Sequence, residues 1–347
     1  MSRHLFAVLL LCSSAAACNI PVFRYALERW TADPIELVVF HRGPLSPAHT
    51  DQLAAWERLA SPTGQANLQI FRHDVTDFSA STPNTTAPLP QDIASRRQLW
   101  LSLPAAAQAN LPCVIARSRH GRDRTINHWI SPLDEAAERL AESPARTELI
   151  RRLQQGHSIV WLIVNPATAT PDSPSAKLRE TARSQLAEKC RSLPNQLELP
   201  EGIGLPGSEL YSEVPLLLKF STLEINAADT RETYLLRQIS GLQPEAWAAG
   251  EPLIVPVFGR GRALEVIPAS KLSPELIHDL TQFLCSACSC QVKEQNPGFD
   301  LLLNSNWNHA LFGEDGELPP PPEPGPRSQS QSPSQTPNLL PIPPGRK

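Results

Sequence analysis

The sequence predicts an α/β protein built of two consecutive domains with the same order of strands and helices. The chain has 347 residues, of which 41% are hydrophobic, so it exceeds the usual size of one domain and is apolar enough to form two cores. Strand-type and helix-type segments alternate, and the alternation begins again near residue 157. A proline that enters a strand and a glycine that follows it recur at one spacing, as Pro112 with Gly121 and Pro252 with Gly261.

The first half, 34–156, begins with an apolar strand and ends with a helical segment. Strands are predicted at 35–40, 67–71, 113–116 and 125–129. Helices are predicted at 46–60, 91–101 and 134–155. Ser46-Pro47 supplies the N-cap and first position of the earliest helix, and Ser143-Pro144 interrupts the last one. The predicted order is therefore β-α-β-α-β-β-α.

The second half, 157–290, repeats this alternation. Strands are predicted at 158–164, 217–225, 253–258 and 263–267. Helices are predicted to begin at Ser173-Pro174, to cover 229–239 and to cover 273–284. The helix after Ser173 carries one apolar stripe, formed by Leu178, Ala182, Leu186 and Cys190.

That order of elements is the order of the thioredoxin-like fold, so we expect two tandem thioredoxin-like domains, each a central mixed sheet flanked by helices. In this fold a cis-proline precedes the third strand, which makes Pro112 and Pro252 candidates for cis peptide bonds. Enzymes of the family carry Cys-x-x-Cys directly after the first strand, at a helix N-terminus that lowers the thiol pKa. The corresponding stretches, 41–46 and 165–170, contain no cysteine, so we expect the fold without its reactive dithiol.

Residues 1–17 have the pattern of a secretory signal peptide. Arg3 and His4 precede an apolar run at 5–12, and small residues follow at 13–17. The apolar run is too short to span a bilayer as a helix. We therefore expect the protein to be exported.

Cys18, directly after the small residues, allows three interpretations. The segment 15–18 resembles a bacterial lipobox, in which the cysteine is lipidated and becomes the mature N-terminus, although lipoboxes usually carry Leu where Ala15 stands. Ordinary cleavage after Ala17, or a disulfide to Cys18, are the alternatives. We favour lipidation because Cys18 follows the small residues at once. Since Asn19 is not the aspartate that retains lipoproteins at the inner membrane, we expect the periplasmic side of the outer membrane, or the periplasm if Cys18 carries no lipid.

Three segments lie outside the two domains. Residues 18–33 are predicted to form a short helix packed on the first domain, and 291–312 form a C-terminal extension. The tail, 313–347, is rich in proline, serine and glutamine, and it is predicted to be disordered because it holds too little apolar surface to offset chain entropy. The chain has 36 prolines, about twice the number that average usage gives.

Cys285, Cys288 and Cys290 form a cluster after the final predicted helix. A helix C-terminus raises the pKa of a thiol, and exported proteins meet an oxidising compartment, so we favour a structural disulfide. The alternative is a thiolate site for zinc or Cu(I). We expect no cofactor.

Composition and motifs exclude several functions. The chain has 31 basic and 35 acidic residues, a net charge of -4, whereas nucleic-acid binding needs a basic excess. The arginine-rich turn at 117–124 is interrupted by Asp123, and we interpret it as solvated. The sequence contains no His-Glu-x-x-His or Gly-x-Ser-x-Gly motif.

The segments 18–30 and 288–298 resemble those of exported bacterial proteins of unassigned activity. The resemblance implies export to the cell envelope, and it implies no catalytic residue. We therefore expect a non-enzymatic binding or assembly module of the cell envelope. Its expected partner is another envelope protein, and a lipid on Cys18 is expected to anchor it to the membrane. The alternative hypothesis is a thiol-dependent redox or metal-handling protein that uses Cys285, Cys288 and Cys290.

Overall fold

The computed structural model describes residues 19–61, 65–78, 91–121, 124–141, 143–167, 172–287, 293 and 296–313. These residues form two mixed sheets flanked by helices, which confirms the predicted α/β class. Within the described ranges, no helix combines the length and apolar character needed to cross a membrane.

The first sheet has four strands in the order β2-β1-β3-β4. Its strands are β1 (Ile35–His41), β2 (Leu68–Asp74), β3 (Cys113–His120) and β4 (Arg124–Pro132). β2 runs parallel to β1, whereas β3 is antiparallel to both β1 and β4. The centre of β1 is buried because helices cover both faces of the sheet.

The helices of the N-terminal segment and of the first unit, residues 34–156, lie close to their predicted positions, except for the short helix at 105–109, which was not predicted. They are α1 (Val22–Arg29), α2 (Pro47–Ala60), α3 (Gln91–Leu101), α4 (Ala105–Ala109), α5 (Leu133–Ala141) and α6 (Pro144–Gln154), with a 3-10 turn at Val75–Phe78. Ser46 and Ser143 each accept a hydrogen bond from the backbone N–H three residues ahead, and a proline follows each of them. This pairing of serine cap and proline starts both helices at the predicted residue.

The second sheet has the order β10-β8-β7-β5-β6, and β9 also pairs with β7. Its strands are β5 (Ile159–Asn165), β6 (Phe220–Asn226), β7 (Leu253–Phe258), β8 (Arg262–Ala263), β9 (Ile267–Pro268) and β10 (Phe299–Asp300). As in the first sheet, the central strand, β5, has one parallel neighbour, β6, and one antiparallel neighbour, β7. The two units therefore share their central connectivity.

Helices of the second unit cover both faces of this sheet. They are α7 (Pro174–Ser192), α8 (Thr233–Ser240), α9 (Pro244–Ala248), α10 (Pro274–Cys285) and α11 (Trp307–Phe312), with 3-10 turns at Leu193–Asn195, Thr230–Glu232 and Ala269–Lys271. The predicted strand at 263–267 is two short strands, because the register of pairing with β7 shifts by one residue between β8 and β9. On α7, Ala182 and Leu186 of the predicted stripe are buried.

The expectation that α1 packs on the first unit is wrong. Ile20, Phe23 and Trp30 lie in one apolar core with Trp161 and Phe258 of the second unit. Backbone contacts hold the segment there, since Pro21 forms a β-bridge with Ala287 and the Val22 N–H donates to Ser286 O at 3.1 Å. The helix α1 therefore packs on the second unit, although it precedes the first unit in the sequence.

The C-terminal extension joins the two units. Phe299–Asp300 pairs with β8 of the second unit, while Asn67 of the first unit donates to Leu301 O at 3.1 Å and accepts from Leu303 N at 2.9 Å. Ser305 N also donates to Gln65 O at 2.7 Å. Because one segment bonds to both units, the extension fixes their packing.

Candidate functional site

A cleft of about 520 Å³ opens at the carboxyl end of β1. It is the position where the order of elements predicts a site, because the loop between β1 and α2 meets the loop that leads into β3. The residues that line it include His41, Arg42, Pro44, His49, Gln108 and Pro112. Two histidines, one arginine, one amide and the hydroxyl-bearing Ser46 therefore line the cleft together with proline, leucine and alanine residues.

Asp74, at the end of β2, holds one wall of the cleft in place. Its carboxylate accepts from Gly43 N at 2.9 Å and from both Thr76 N and Thr76 Oγ1, and the bonds from Thr76 are the main reason that its pKa is lowered. His41 Nδ1 donates to Gly43 O at 2.8 Å and lies 4.0 Å from Asp74 Oδ2. Gly43 has φ +66°, a conformation that glycine adopts without steric cost.

The opposite wall is tied to the helix after β4. His49 Nε2, on the first turn of α2, lies 2.9 Å from Asp134 Oδ1 at the start of α5. Asp74 and Asp134 thus each lie within 4.0 Å of a histidine nitrogen. Arg42 is exposed and makes no hydrogen bond or ion pair with the residues that the structure describes, so its positive charge is available at the rim.

The two candidate cis-prolines differ. The Leu111–Pro112 peptide is cis, and Pro112 lines the cleft. Across the described residues no other peptide bond is cis, so the expectation for Pro252 is corrected to trans. There Glu251 N donates to Ala246 O at the end of α9, and the chain runs directly into β7.

The matching position in the second unit is the end of β5. Asn165 is buried there, and its Nδ2 donates to Glu224 Oε2 at 3.3 Å. The loop that follows, 168–171, lies outside the described residues. The cleft of the first unit is therefore the candidate site.

The described cysteines are poor nucleophiles. Cys113, Cys190 and Cys285 carry free thiols, and burial raises the pKa of Cys113 to about 11 and those of Cys190 and Cys285 to about 12. Because the thiolate is the form that attacks disulfides and binds metals, these groups are unreactive near neutral pH. Cys285 is the last residue of α10, which extends one residue beyond its predicted end at 284.

The other three cysteines for which a role was predicted are not among the described residues. Cys18, Cys288 and Cys290 lie outside the described residues, so lipidation and the choice between disulfide and metal stay predictions. Among the residues that are described, no three or more His, Cys, Asp or Glu side chains are grouped as metal ligands.

A buried polar network, not predicted from the sequence, lies between the units. His128 of β4 lies 2.8 Å from the Tyr234 hydroxyl of α8 and 3.4 Å from Ser118 Oγ, which also lies 2.9 Å from His120 Nε2. Burial lowers the pKa of His128 to about 3 and that of His120 to about 4. Both rings are neutral at pH 7. Spacing along the chain gave no signal, because Tyr234 lies in the other half of the sequence.

No protein-family model matches the chain, and no curated protein shows significant similarity to it.

Proposed function

We propose that this chain is an exported cell-envelope lipoprotein, anchored through Cys18, whose two thioredoxin-like units bind a partner without catalysing a reaction. The observation that carries the proposal is the cleft at the end of β1, which no described cysteine lines. A thiol enzyme with this connectivity would hold its reactive sulfur at that point, next to the N-terminus of α2. Here Arg42 and Leu45 stand in that loop.

The connectivity supports the thioredoxin-like assignment. Each unit runs from a central strand through a helix to a parallel neighbour, and then through a helix to an antiparallel neighbour on the other side. The first unit adds a hairpin strand and a final helix in the expected order. This agreement, in two halves of one chain, supports a repeated fold.

The charges at the cleft suggest the partner. Asp74 is held by Gly43 and Thr76 and Asp134 contacts His49, whereas Arg42 has no acidic neighbour within hydrogen-bonding distance among the described residues. A guanidinium at the rim of a cleft suits a carboxylate, which it binds through two parallel hydrogen bonds. We therefore propose that the partner is an envelope protein that presents an acidic segment to Arg42.

A cross-linking experiment in cells tests the binding role. A benzophenone amino acid placed at Gln108 should yield one discrete adduct, which Arg42→Glu abolishes. Arg58→Glu is the matched control, because Arg58 is exposed on α2, which follows the Arg42 loop, and does not line the cleft. Equal adducts in both variants, or no adduct in the parent protein, would contradict the proposal.

Two measurements test the remaining parts. The mass of the Cys18 peptide from the membrane fraction should include a diacylglycerol increment, and an unmodified peptide would refute the anchor. Insulin reduction by the purified protein should stay at background. Activity that Cys285→Ser removes and Cys190→Ser leaves intact would refute the non-catalytic role and restore the thiol hypothesis.

A further inference from the structure

The first described residue is already bonded to the folded body. Asn19 N donates to Ser208 Oγ at 3.0 Å, and the next residue, Ile20, is fully buried in the core of the second unit. Cys18 precedes Asn19 directly, and consecutive Cα atoms are separated by about 3.8 Å. A lipid on Cys18 would therefore hold the surface around Ser208 close to the bilayer.

That surface is a loop, 201–208, which is closed on itself by backbone hydrogen bonds. Gly204 N donates to Ser208 O at 2.8 Å, Ser208 N donates to Leu205 O at 2.8 Å, and Leu205 N donates to Gly202 O at 3.2 Å. These bonds fix the loop in one shape. Its stretch between Glu201 and Glu209 contains no charged residue.

Leu205 projects from this loop beside Asn19. Its side chain is 61% exposed, the largest exposed fraction recorded for a large apolar side chain among the described residues. A Cβ added to Gly202 would lie 3.0 Å from Asn19 Nδ2 and 3.6 Å from Leu205 Cδ1, so the two side chains flank the same glycine. The exposed leucine thus lies beside the residue that follows Cys18, where a lipid on Cys18 would bring the acyl chains within its reach.

We infer that the 201–208 loop lies on the membrane surface next to lipidated Cys18, with Leu205 inserted among the acyl chains. The inference rests on the proposed function, because it requires lipid on Cys18. The occupant is a bilayer of zwitterionic lipid, since the carboxylates of Glu201 and Glu209 on either side of the loop would be repelled by anionic headgroups. The anchor and the loop would together fix one orientation of the protein on the membrane.

Photo-cross-linking to lipid tests this orientation. Full-length protein, made in a bacterial host that processes lipoproteins, is reconstituted in phosphatidylcholine vesicles with a benzophenone amino acid at Leu205. Leu101 gives the matched control, because it is also an exposed leucine, 58% accessible, on α3 of the first unit. Mass spectrometry then measures the phospholipid adduct at each position, together with the modification of Cys18.

We expect a lipid adduct at position 205 that exceeds the adduct at position 101 at least tenfold in protein with diacylated Cys18. Equal adducts at the two positions in diacylated protein would overturn the inference and leave the anchor in place. Unmodified Cys18 would refute the anchor, and the inference with it. The mass of the Cys18 peptide therefore separates the two failures.

Discussion

His128 Nε2 lies 2.8 Å from the hydroxyl of Tyr234, and this contact joins β4 of the first unit to α8 of the second. Both side chains are buried, and their rings also meet edge to face at 5.5 Å between centroids. A buried polar contact of this kind is costly to break, because the group left behind has no water to replace its partner. This contact is one of several hydrogen bonds that join the two units.

Removal of the Tyr234 hydroxyl should therefore destabilise the protein. We expect Tyr234→Phe to lower the free energy of unfolding by about 1–3 kcal/mol, the range for a buried group left unsatisfied. Urea denaturation followed by tryptophan fluorescence measures the change. Tyr211→Phe is the control, since Tyr211 is partly exposed and contacts Arg29 through its ring face. Equal effects of the two variants would show that the hydrogen bond contributes nothing.

The same network predicts acid sensitivity. The unfolded chain takes up protons on His128 and His120 near pH 6.5, whereas burial lowers the pKa values in the folded protein to about 3 and about 4. The stability from these two groups is therefore complete above pH 6.5 and is lost as the pH falls toward 4. Each histidine adds up to about 1.4 kcal/mol per pH unit to the slope over this range.

Denaturation at a series of pH values checks this expectation. His157 also has a pKa lowered by burial, to about 4, so the informative quantity is the difference between variants. His128→Gln should reduce the slope between pH 6.5 and 4 by up to one proton relative to the parent protein. An unchanged slope would mean that His128 titrates alike in the folded and unfolded chains.

Gly259 should be essential for the packing of α1. Its φ is +59°, and a Cβ there would lie 2.7 Å from Ala26 Cβ, so Gly259→Ala forces α1 away from β7. Gly250→Ala isolates the steric contribution, because Gly250 has φ +76° and no atom within 4 Å of the added Cβ. We expect Gly250→Ala to cost about 1 kcal/mol and Gly259→Ala to cost about 2–4 kcal/mol. Equal losses of the free energy of unfolding would show that α1 moves without cost.

A buried ion pair on α1 supports the same contact. Arg24 Nε donates to Glu28 Oε1 at 2.9 Å, and Glu28 also accepts from Ser212 N and Ser212 Oγ. Both charged side chains are almost completely buried. We expect Glu28→Gln to cost about 3–5 kcal/mol, because it leaves the Arg24 charge buried and unpaired.

An exposed ion pair provides the comparison. Glu224 forms a pair with Arg183 at 2.7 Å on the surface, and Glu224→Gln should cost less than about 1 kcal/mol. Guanidinium denaturation of both variants gives the two values. Similar losses would indicate that water enters the Arg24 site and replaces the carboxylate.

Local patterns predicted most elements of the two units. The serine-proline starts of α2, α6, α7 and α10 lie at the expected residues, because the cap and the proline act on the next turn alone. The apolar runs of β1, β5 and β7 were equally clear, since central strands are buried on both faces.

Errors arose where contacts join distant parts of the chain. The apolar spacing of α1 predicted a helix but carried no information on its neighbours, and the packing on Trp161 and Phe258 depends on tertiary structure. For the cleft, the loop 41–46 was predicted, whereas His49 and Asp134 were not, because they meet only when α2 lies beside α5. The cis bond before Pro112 and the trans bond before Pro252 likewise follow from surroundings that spacing does not encode.

The packing of α1 on the second unit has a consequence for the order of synthesis. A ribosome releases residues 22–29 early, yet their apolar partners include β5, β7 and α10, which ends at Cys285. Domains generally fold as they emerge, the N-terminal one first. In this chain the earliest segment must wait, with its apolar side chains uncovered, until almost the whole molecule has been made.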